Sequence, residues 1–195
     1  MNITVYCGAN FGKDPLFAEK ARELGIWMAR NGHRLVYGAG DVGMMGAVSN
    51  AVLENGGEVI GVTPDFFVMA EEIHTGLTDL RISKDMSDRR SIMIEEGDAF
   101  IALPGGTGTL DEISEVMSLR RLGLLGDRIR PVMLYNVNGY YDHLLAFFDR
   151  MADEEFFRKI DREAVHEVKS VEDIEKVLAS AGETDTKRNT LYIKE

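Results

Sequence analysis

The sequence predicts an α/β fold: a doubly wound parallel sheet with helices on both faces, in a single domain. Three observations predict it. Short β-rich runs alternate with stretches whose apolar residues recur at helical spacing, and strands separated by such helices build parallel βαβ units. Two glycine-rich turns each follow a strand and open a helix. The length, 195 residues with 45% hydrophobic content, suits one hydrophobic core.

The elements follow in order. Residues 3–7 read as the first strand, ended by Gly8-Ala9-Asn10. Asp14 is a good N-cap and Pro15 fits the first helical position; Phe17, Ala21, Leu24, Trp27 and Met28 then recur on one helix face, which Asn31-Gly32 closes. Residues 35–37 form the second strand, 38–46 a glycine-rich turn, and Ala47, Ala51 and Val52 a small helix ending at Asn55-Gly56-Gly57. Residues 59–62 are the third strand. The stretch 63–82 mixes Phe66, Phe67 and Met69 with Glu71, Glu72 and His74 and reads as a long loop with short helical pieces, a feature often tied to function. A helix over 86–96 is capped by Asp85, and 99–103 is a strand. The second glycine-rich turn covers 104–109, and a helix runs from Leu110 through Leu122. A strand over 132–135, a turn at Asn138-Gly139, and helices over 140–151 and 171–181 complete a domain of residues 1–183. Residues 184–195 read as a polar tail.

Composition bounds the function. With 22 Lys+Arg against 33 Asp+Glu, the formal charge is −11, which argues against a nucleic-acid surface, since that needs a basic stripe to displace counterions. No apolar stretch approaches the ~18 residues of a membrane span, and the N-terminus lacks a signal-peptide pattern. The single cysteine, Cys7, excludes an intramolecular disulfide and suits a reducing compartment. A cytoplasmic protein without nucleic-acid or membrane partners is expected. Cys7, at the end of a strand, reads as a small core residue. His74 has no second His or Cys nearby, so no metal site is expected.

Three segments carry chemistry. Gly38-Ala39-Gly40-Asp41-Val42-Gly43 is a literal G-x-G-x-x-G. A dinucleotide site also needs an acid at the end of the next strand. Glu58 instead opens that strand, Asp65 lies beyond it, and the loop follows the second strand rather than the first. A dinucleotide site, a mononucleotide pocket and close helix–strand packing all stay open. Pro104-Gly105-Gly106-Thr107-Gly108-Thr109 is more informative. Its glycines leave backbone N–H groups bare at a helix start, where the dipole also favours an anion. No Gly-Lys-Ser/Thr follows, so it is not a Walker A loop. A plain turn, with Thr109 capping the helix and Glu112 as a first-turn carboxylate, is the competing account. Arg89 and Arg90 sit near a helix N-terminus, against the macrodipole, as if for an anion. These arginines, the Gly-Thr loop and Glu112 are expected to share one cleft, with the arginines as a local basic spot.

The run PGGTGTLDE, together with VYCGANFGKDP, LVYGAGDVGMMGAV, GGEVIGVTP, EEIHTGLTDL and DMSDRRSIM, resembles the LOG (Lonely Guy) family in motif order and spacing. Members are phosphoribohydrolases of cytokinin riboside 5′-monophosphates and have often carried the label "possible lysine decarboxylase". The resemblance implies a Rossmann-like fold, a homodimer with active sites near the subunit interface, and a nucleoside 5′-monophosphate as ligand, with no cofactor. It places the catalytic pair on Arg89 and Glu112. Its substrate-binding positions fall on Glu71, Arg90 and Ser118 and along Gly106 to Glu112; in the chemistry this suggests, the N–H groups of Gly105, Gly106, Thr107, Gly108 and Thr109 take the 5′-phosphate. Three positions depart from the family pattern: M-H-x-R-K reads Met86-Ser87-Asp88-Arg89-Arg90, the glycine triplet reads Gly38-Ala39-Gly40, and Ser118-Leu119-Arg120-Arg121 replaces Trp-x-Gln. A lysine decarboxylase would need a lysine to carry pyridoxal phosphate, and neither glycine loop has one. A nucleotide or cofactor carrier on the same fold is the alternative function.

Overall fold

The computed structural model describes residues 1–69, 73–126 and 128–183. The chain alternates strand and helix: β1 Asn2–Tyr6, α1 Pro15–Arg30, β2 Arg34–Tyr37, α2 Gly43–Glu54, β3 Val59–Pro64, α3 Asp65–Met69, β4 Asp79–Ser83, α4 Met86–Glu96 and β5 Ala99–Ala102. Then come α5 Thr107–Arg121, β6 Val132–Tyr135, α6 Asp142–Asp153, α7 Lys159–Glu163, β7 Val165–Val168 and α8 Val171–Glu183. All strand pairs are parallel, in the order β4-β3-β2-β1-β5-β6-β7. The polar tail expected at 184–195 lies outside the described residues.

Strand alternation sorts the core into two layers. Ile3, Val5, Leu35, Tyr37, Ile101 and Tyr135 face one side, where Leu24 and Met28 of α1, Val48 of α2 and Ile174 of α8 pack on them. Tyr6, Val36, Phe100, Ala102 and Leu134 face the other, against Met93 of α4, Ile113 and Val116 of α5 and Leu145 of α6. Both faces are covered, as a parallel sheet requires. The start of α1 follows the sequence reading: Asp14 Oδ1 accepts from Leu16 N at 2.9 Å, with Pro15 next. Gly32 closes the helix at φ +66°, a conformation that suits glycine.

Several expected boundaries move. The stretch 63–82, expected as loop, contains α3 and a strand, β4, and residues 159–168 contain α7 and a strand, β7. Both strands lie at sheet edges. Asp79-Leu80-Arg81-Ile82 is mostly exposed, and Val165-His166-Glu167-Val168 brings only two apolar residues. Main-chain pairing to one neighbour holds them, and that leaves little hydrophobic signal. Both glycine turns are also shorter than expected, because α2 starts at Gly43 and α5 at Thr107.

The topology positions the site. From β1 the chain builds outward through β2, β3 and β4, then returns to place β5 on the other side of β1. Connections from β1 and β5 therefore diverge, opening a crevice at their carboxyl ends, where open α/β sheets bind ligands.

Candidate active site

That crevice is a cleft of about 510 Å³, within the range of small-ligand sites. One wall is the glycine loop after β5, Gly105 to Thr109; opposite stand Gly8, Asn10, Phe11 and Phe17. The loops after β1 and β5 are bonded to each other, Gly8 N donating to Pro104 O at 3.1 Å. Gly105 permits this closeness: a Cβ there would lie 2.1 Å from Thr109 Oγ1 and 2.8 Å from Gly8 N.

Gly106 is the N-cap of α5 and offers no side-chain cap. The first-turn N–H groups of the helix are therefore left for a ligand, with the positive end of the dipole behind them. Thr109 does not cap the helix, as the competing account supposed; it lies inside the first turn and is buried.

Arg89 and Glu112 meet in this cleft. Arg89 Nη1 donates to Glu112 Oε1 at 2.8 Å, and the side chains are only 11% and 12% exposed. Arg89 Nε donates to Val62 O at the end of β3, 2.9 Å away. Its Nη2 lies over Gly38, where a Cβ would come within 1.9 Å of it. Three elements thus fix one guanidinium. Burial raises the Glu112 carboxyl above its ordinary pKa, and the neighbouring Arg89 only partly opposes this. Burial likewise pushes the Cys7 thiol up, helped by the charge of Glu112, so this cleft-lining cysteine stays protonated.

The first glycine loop does other work than the fingerprint reading would give it. Gly38 makes room for Arg89, and at Gly43, with φ +63°, a Cβ would strike Ala9 O at 2.0 Å. Its glycines serve close approach, the packing account left open by the sequence. Ala39, in place of a family glycine, sits buried at φ +64°.

The remaining candidates are placed differently. Arg90 turns to the side of α5, with Nε donating to Glu115 Oε2 at 2.6 Å and Nη1 3.3 Å from Asp111 Oδ2. Ser118, further along α5, is exposed and donates back to Ser114 O. Neither lines the cleft. Glu71 lies outside the described residues. The arginines thus do not form the basic spot expected from the sequence: each faces carboxylates of α5. The positive feature beside the cleft is instead the uncapped N-terminus of α5. His74 is taken up structurally, its Nε2 3.0 Å from Asn50 Oδ1 and its Nδ1 accepting from Gly76 N. Phe11, Phe17, Met45 and Tyr140 line the cleft without having been singled out. For Phe11 and Tyr140 a signal existed, since each follows a strand at the sheet's carboxyl edge.

A family profile described as "possible lysine decarboxylase" matches residues 45–179. The chain is 42% identical to a cytokinin riboside 5′-monophosphate phosphoribohydrolase of Rhodococcoides fascians, over 88% of this chain and 85% of that protein. It is 41% identical to a protein of the same name from Arabidopsis thaliana, over 84% and 74%. This chain belongs to the LOG family. Among solved structures, a molybdenum cofactor binding protein from Rippkaea orientalis superposes with a TM-score of 0.69 at 23% identity, covering 92% of this chain and 95% of that one. The molybdenum cofactor carrier protein of Chlamydomonas reinhardtii gives 0.68 at 22%, covering 91% and 98%. At such identities the likeness is one of fold. The decarboxylase wording of the family description finds no support in the cleft, whose lining among the described residues includes no lysine; Lys84, before α4, is exposed.

Proposed function

We propose that this protein hydrolyses the N-glycosidic bond of purine riboside 5′-monophosphates of the cytokinin type, carrying N6-substituted adenine, and AMP as well. The products are free base and ribose 5-phosphate. The observation that carries the reading is the buried Arg89–Glu112 ion pair, 2.8 Å long, beside an uncapped helix N-terminus in one cleft. The names of the relatives at about 40% identity support the same activity.

In the proposed reaction, water adds to C1′ of the ribose, the C1′–N9 bond breaks, and the base leaves with its bonding electrons and takes up a proton. Positive charge builds on the sugar ring in the transition state, as in glycoside cleavage generally. The Glu112 carboxylate stabilises that charge and orients the water, accepting its proton. Arg89 holds Glu112 in place and neutralises charge on the phosphate or the departing base. The N–H groups from Gly105 to Thr109 take the 5′-phosphate, and that remote binding aligns the reacting carbon. Glu71, Arg90 and Ser118 remain proposed substrate contacts on the family resemblance; for Arg90 and Ser118 this requires the ligand to extend beyond the cleft described above. The same resemblance supports a homodimer, and the single cysteine, which suits a reducing compartment, supports the cytoplasm. No helix of the described residues is long and apolar enough to cross a membrane.

The alternative is a carrier that binds without turnover. The Arg89–Glu112 pair favours hydrolysis, because simple phosphate capture has no use for a buried carboxylate. Chromatography of reactions with AMP, GMP, CMP and N6-isopentenyl AMP, beside the Glu112→Ala protein, decides between them. Base release that Glu112→Ala abolishes supports hydrolysis. Tight binding of all four without released base supports the carrier.

A further inference from the structure

Three successive carbonyl oxygens of the glycine loop are each taken by a donor from another segment. Leu103 O accepts from Tyr141 Oη at 2.7 Å, Pro104 O from Gly8 N at 3.1 Å, and Gly105 O from Tyr140 Oη at 2.5 Å. The chain has no cis peptide here, so Pro104 O and Gly105 O point opposite to the N–H groups of Gly105 and Gly106 across rigid planes, whereas Leu103 O, followed by Pro104 with no N–H, anchors only the entry to the loop. Fixing Pro104 O and Gly105 O therefore fixes the directions of the Gly105 and Gly106 N–H groups. Without such anchors these planes would turn easily, because Gly105 and Gly106 lack the side chains that restrict φ and ψ.

The two tyrosines are themselves held. Asn136, at the end of β6 and 2% exposed, accepts from Tyr141 N at 2.7 Å and donates to Asp142 and Glu167. The chain then turns through Asn138 and Gly139, both at positive φ, which brings two consecutive tyrosines against the β5–α5 loop. Asn138 donates to Asp14, the N-cap of α1, and the Tyr140 ring meets Phe17 edge-on at 5.6 Å. Tyr140 is half-exposed and lines the cleft, whereas Tyr141 is buried. Burial alone makes the Tyr141 hydroxyl seek an acceptor, but Tyr140 is half-exposed and could give its hydroxyl to water. Two neighbours sending their hydroxyls to alternate carbonyls of one loop form a built support.

We propose that Tyr140 and Tyr141 are positioning residues: Tyr141 anchors the entry to the loop at Leu103, and Tyr140 locks the Gly105–Gly106 plane, so that beside the plane held by Gly8 the loop presents preorganised N–H donors to a phosphate monoester. This rests on the reading of the loop as the phosphate site, and deepens it by naming what holds the site in its binding form. Preorganisation matters because a donor that must turn into place loses binding free energy to that ordering.

The test is calorimetric titration of ribose 5-phosphate into wild type, Tyr140→Phe and Tyr141→Phe, with adenosine as a phosphate-free control, alongside KM and kcat for N6-isopentenyl AMP. Tyr140→Phe should raise the dissociation constant for ribose 5-phosphate about tenfold, the loss expected for one hydrogen bond of good geometry. KM should rise in parallel with kcat changed less than about threefold, the mark of lost uniform binding. Adenosine binding and the melting temperature should stay near wild type. A change in folding alone would lower the fraction of competent sites and leave the dissociation constant of the remainder unmoved. If Tyr141→Phe fails to fold, the half-exposed Tyr140 still decides. A folded Tyr140→Phe protein with wild-type affinity for ribose 5-phosphate overturns the proposal, as does a wild type that does not bind ribose 5-phosphate. Binding with the expected Tyr140 effect but no base release leaves this inference standing and removes the hydrolytic one.

Discussion

Arg89 is fixed by a carbonyl, a carboxylate and a glycine, and each contact makes the site sensitive to one atom. Gly38→Ala is the sharpest case. Gly38 has ordinary φ, so the backbone accepts alanine, but the new methyl would occupy the place of Arg89 Nη2. The guanidinium must move, and activity should fall about a hundredfold, as small displacements of reacting groups do. Stability should change by less than about 1 kcal/mol, because only the end of a flexible side chain yields. Retained activity in a folded Gly38→Ala protein would count against Arg89 as a placed catalytic group.

Glu112 carries a second residue-scale prediction. Burial raises its carboxyl above the ordinary 4.5, so the folded protein binds this proton more tightly than the unfolded chain does. The stability that this group lends is full below 4.5 and is lost as pH rises through the folded pKa. Wild type should therefore lose stability relative to Glu112→Gln over that interval, in urea titrations at stepped pH. If the carboxylate is the working form, kcat/KM should fall on acidification with a limb lying above 4.5. Glu112→Gln should turn over at least about 10³-fold slower with substrate affinity largely kept. A limb at or below 4.5 would assign the base to another group.

Helix packing sets what the elements tolerate. Gly25 of α1 lies against α2 so closely that a Cβ would come 2.5 Å from Val48 O and 2.8 Å from Ala51 Cβ. Here the obstacle is backbone, which cannot swing aside. Gly25→Ala should destabilise the fold by about 1–3 kcal/mol, measured by denaturant unfolding, and leave activity per folded molecule nearly unchanged. At this scale the sequence was legible wherever burial is strong. Strands β1, β2, β3, β5 and β6 have buried apolar cores and were read from β-rich runs, and α1 and α4 from their caps. The edge strands β4 and β7 were not, because a strand paired on one side and largely open to water needs few apolar residues. The starts of α2 and α5 were also missed, since glycine argues against helix locally. At Gly43 a close backbone approach demands it, and the N-cap of α5 is a glycine that brings no capping side chain.

Over the whole molecule, charge and cleft pull in opposite directions. The formal charge is −11, while Arg89 and Arg90 are each paired with carboxylates of α5. Long-range forces should thus repel an anionic nucleotide, and attraction should begin only within reach of the loop N–H groups. Raising salt from about 10 to 150 mM shortens the Debye length from about 30 to 8 Å. We expect kcat/KM for a nucleoside monophosphate to rise over that range. A fall would mean that the cleft presents net positive charge to the ligand.

Fold class, the order of the buried strands and most of their helices, both glycine loops and the nomination of Arg89 and Glu112 were legible in the sequence, through local pattern, turn chemistry and family resemblance. Folding decided which of the candidate residues converge. Arg89 and Glu112, 23 residues apart, meet because β5 returns beside β1 and sets α5 next to α4. Arg90, one residue from Arg89, leaves the cleft because successive side chains on a helix point about 100° apart. The anchoring of the β5–α5 loop by Tyr140 and Tyr141 depended on contacts between residues 35 and 38 positions apart. Such contacts leave no local trace in a single sequence, because hydrogen-bond direction and close approach belong to the packed chain.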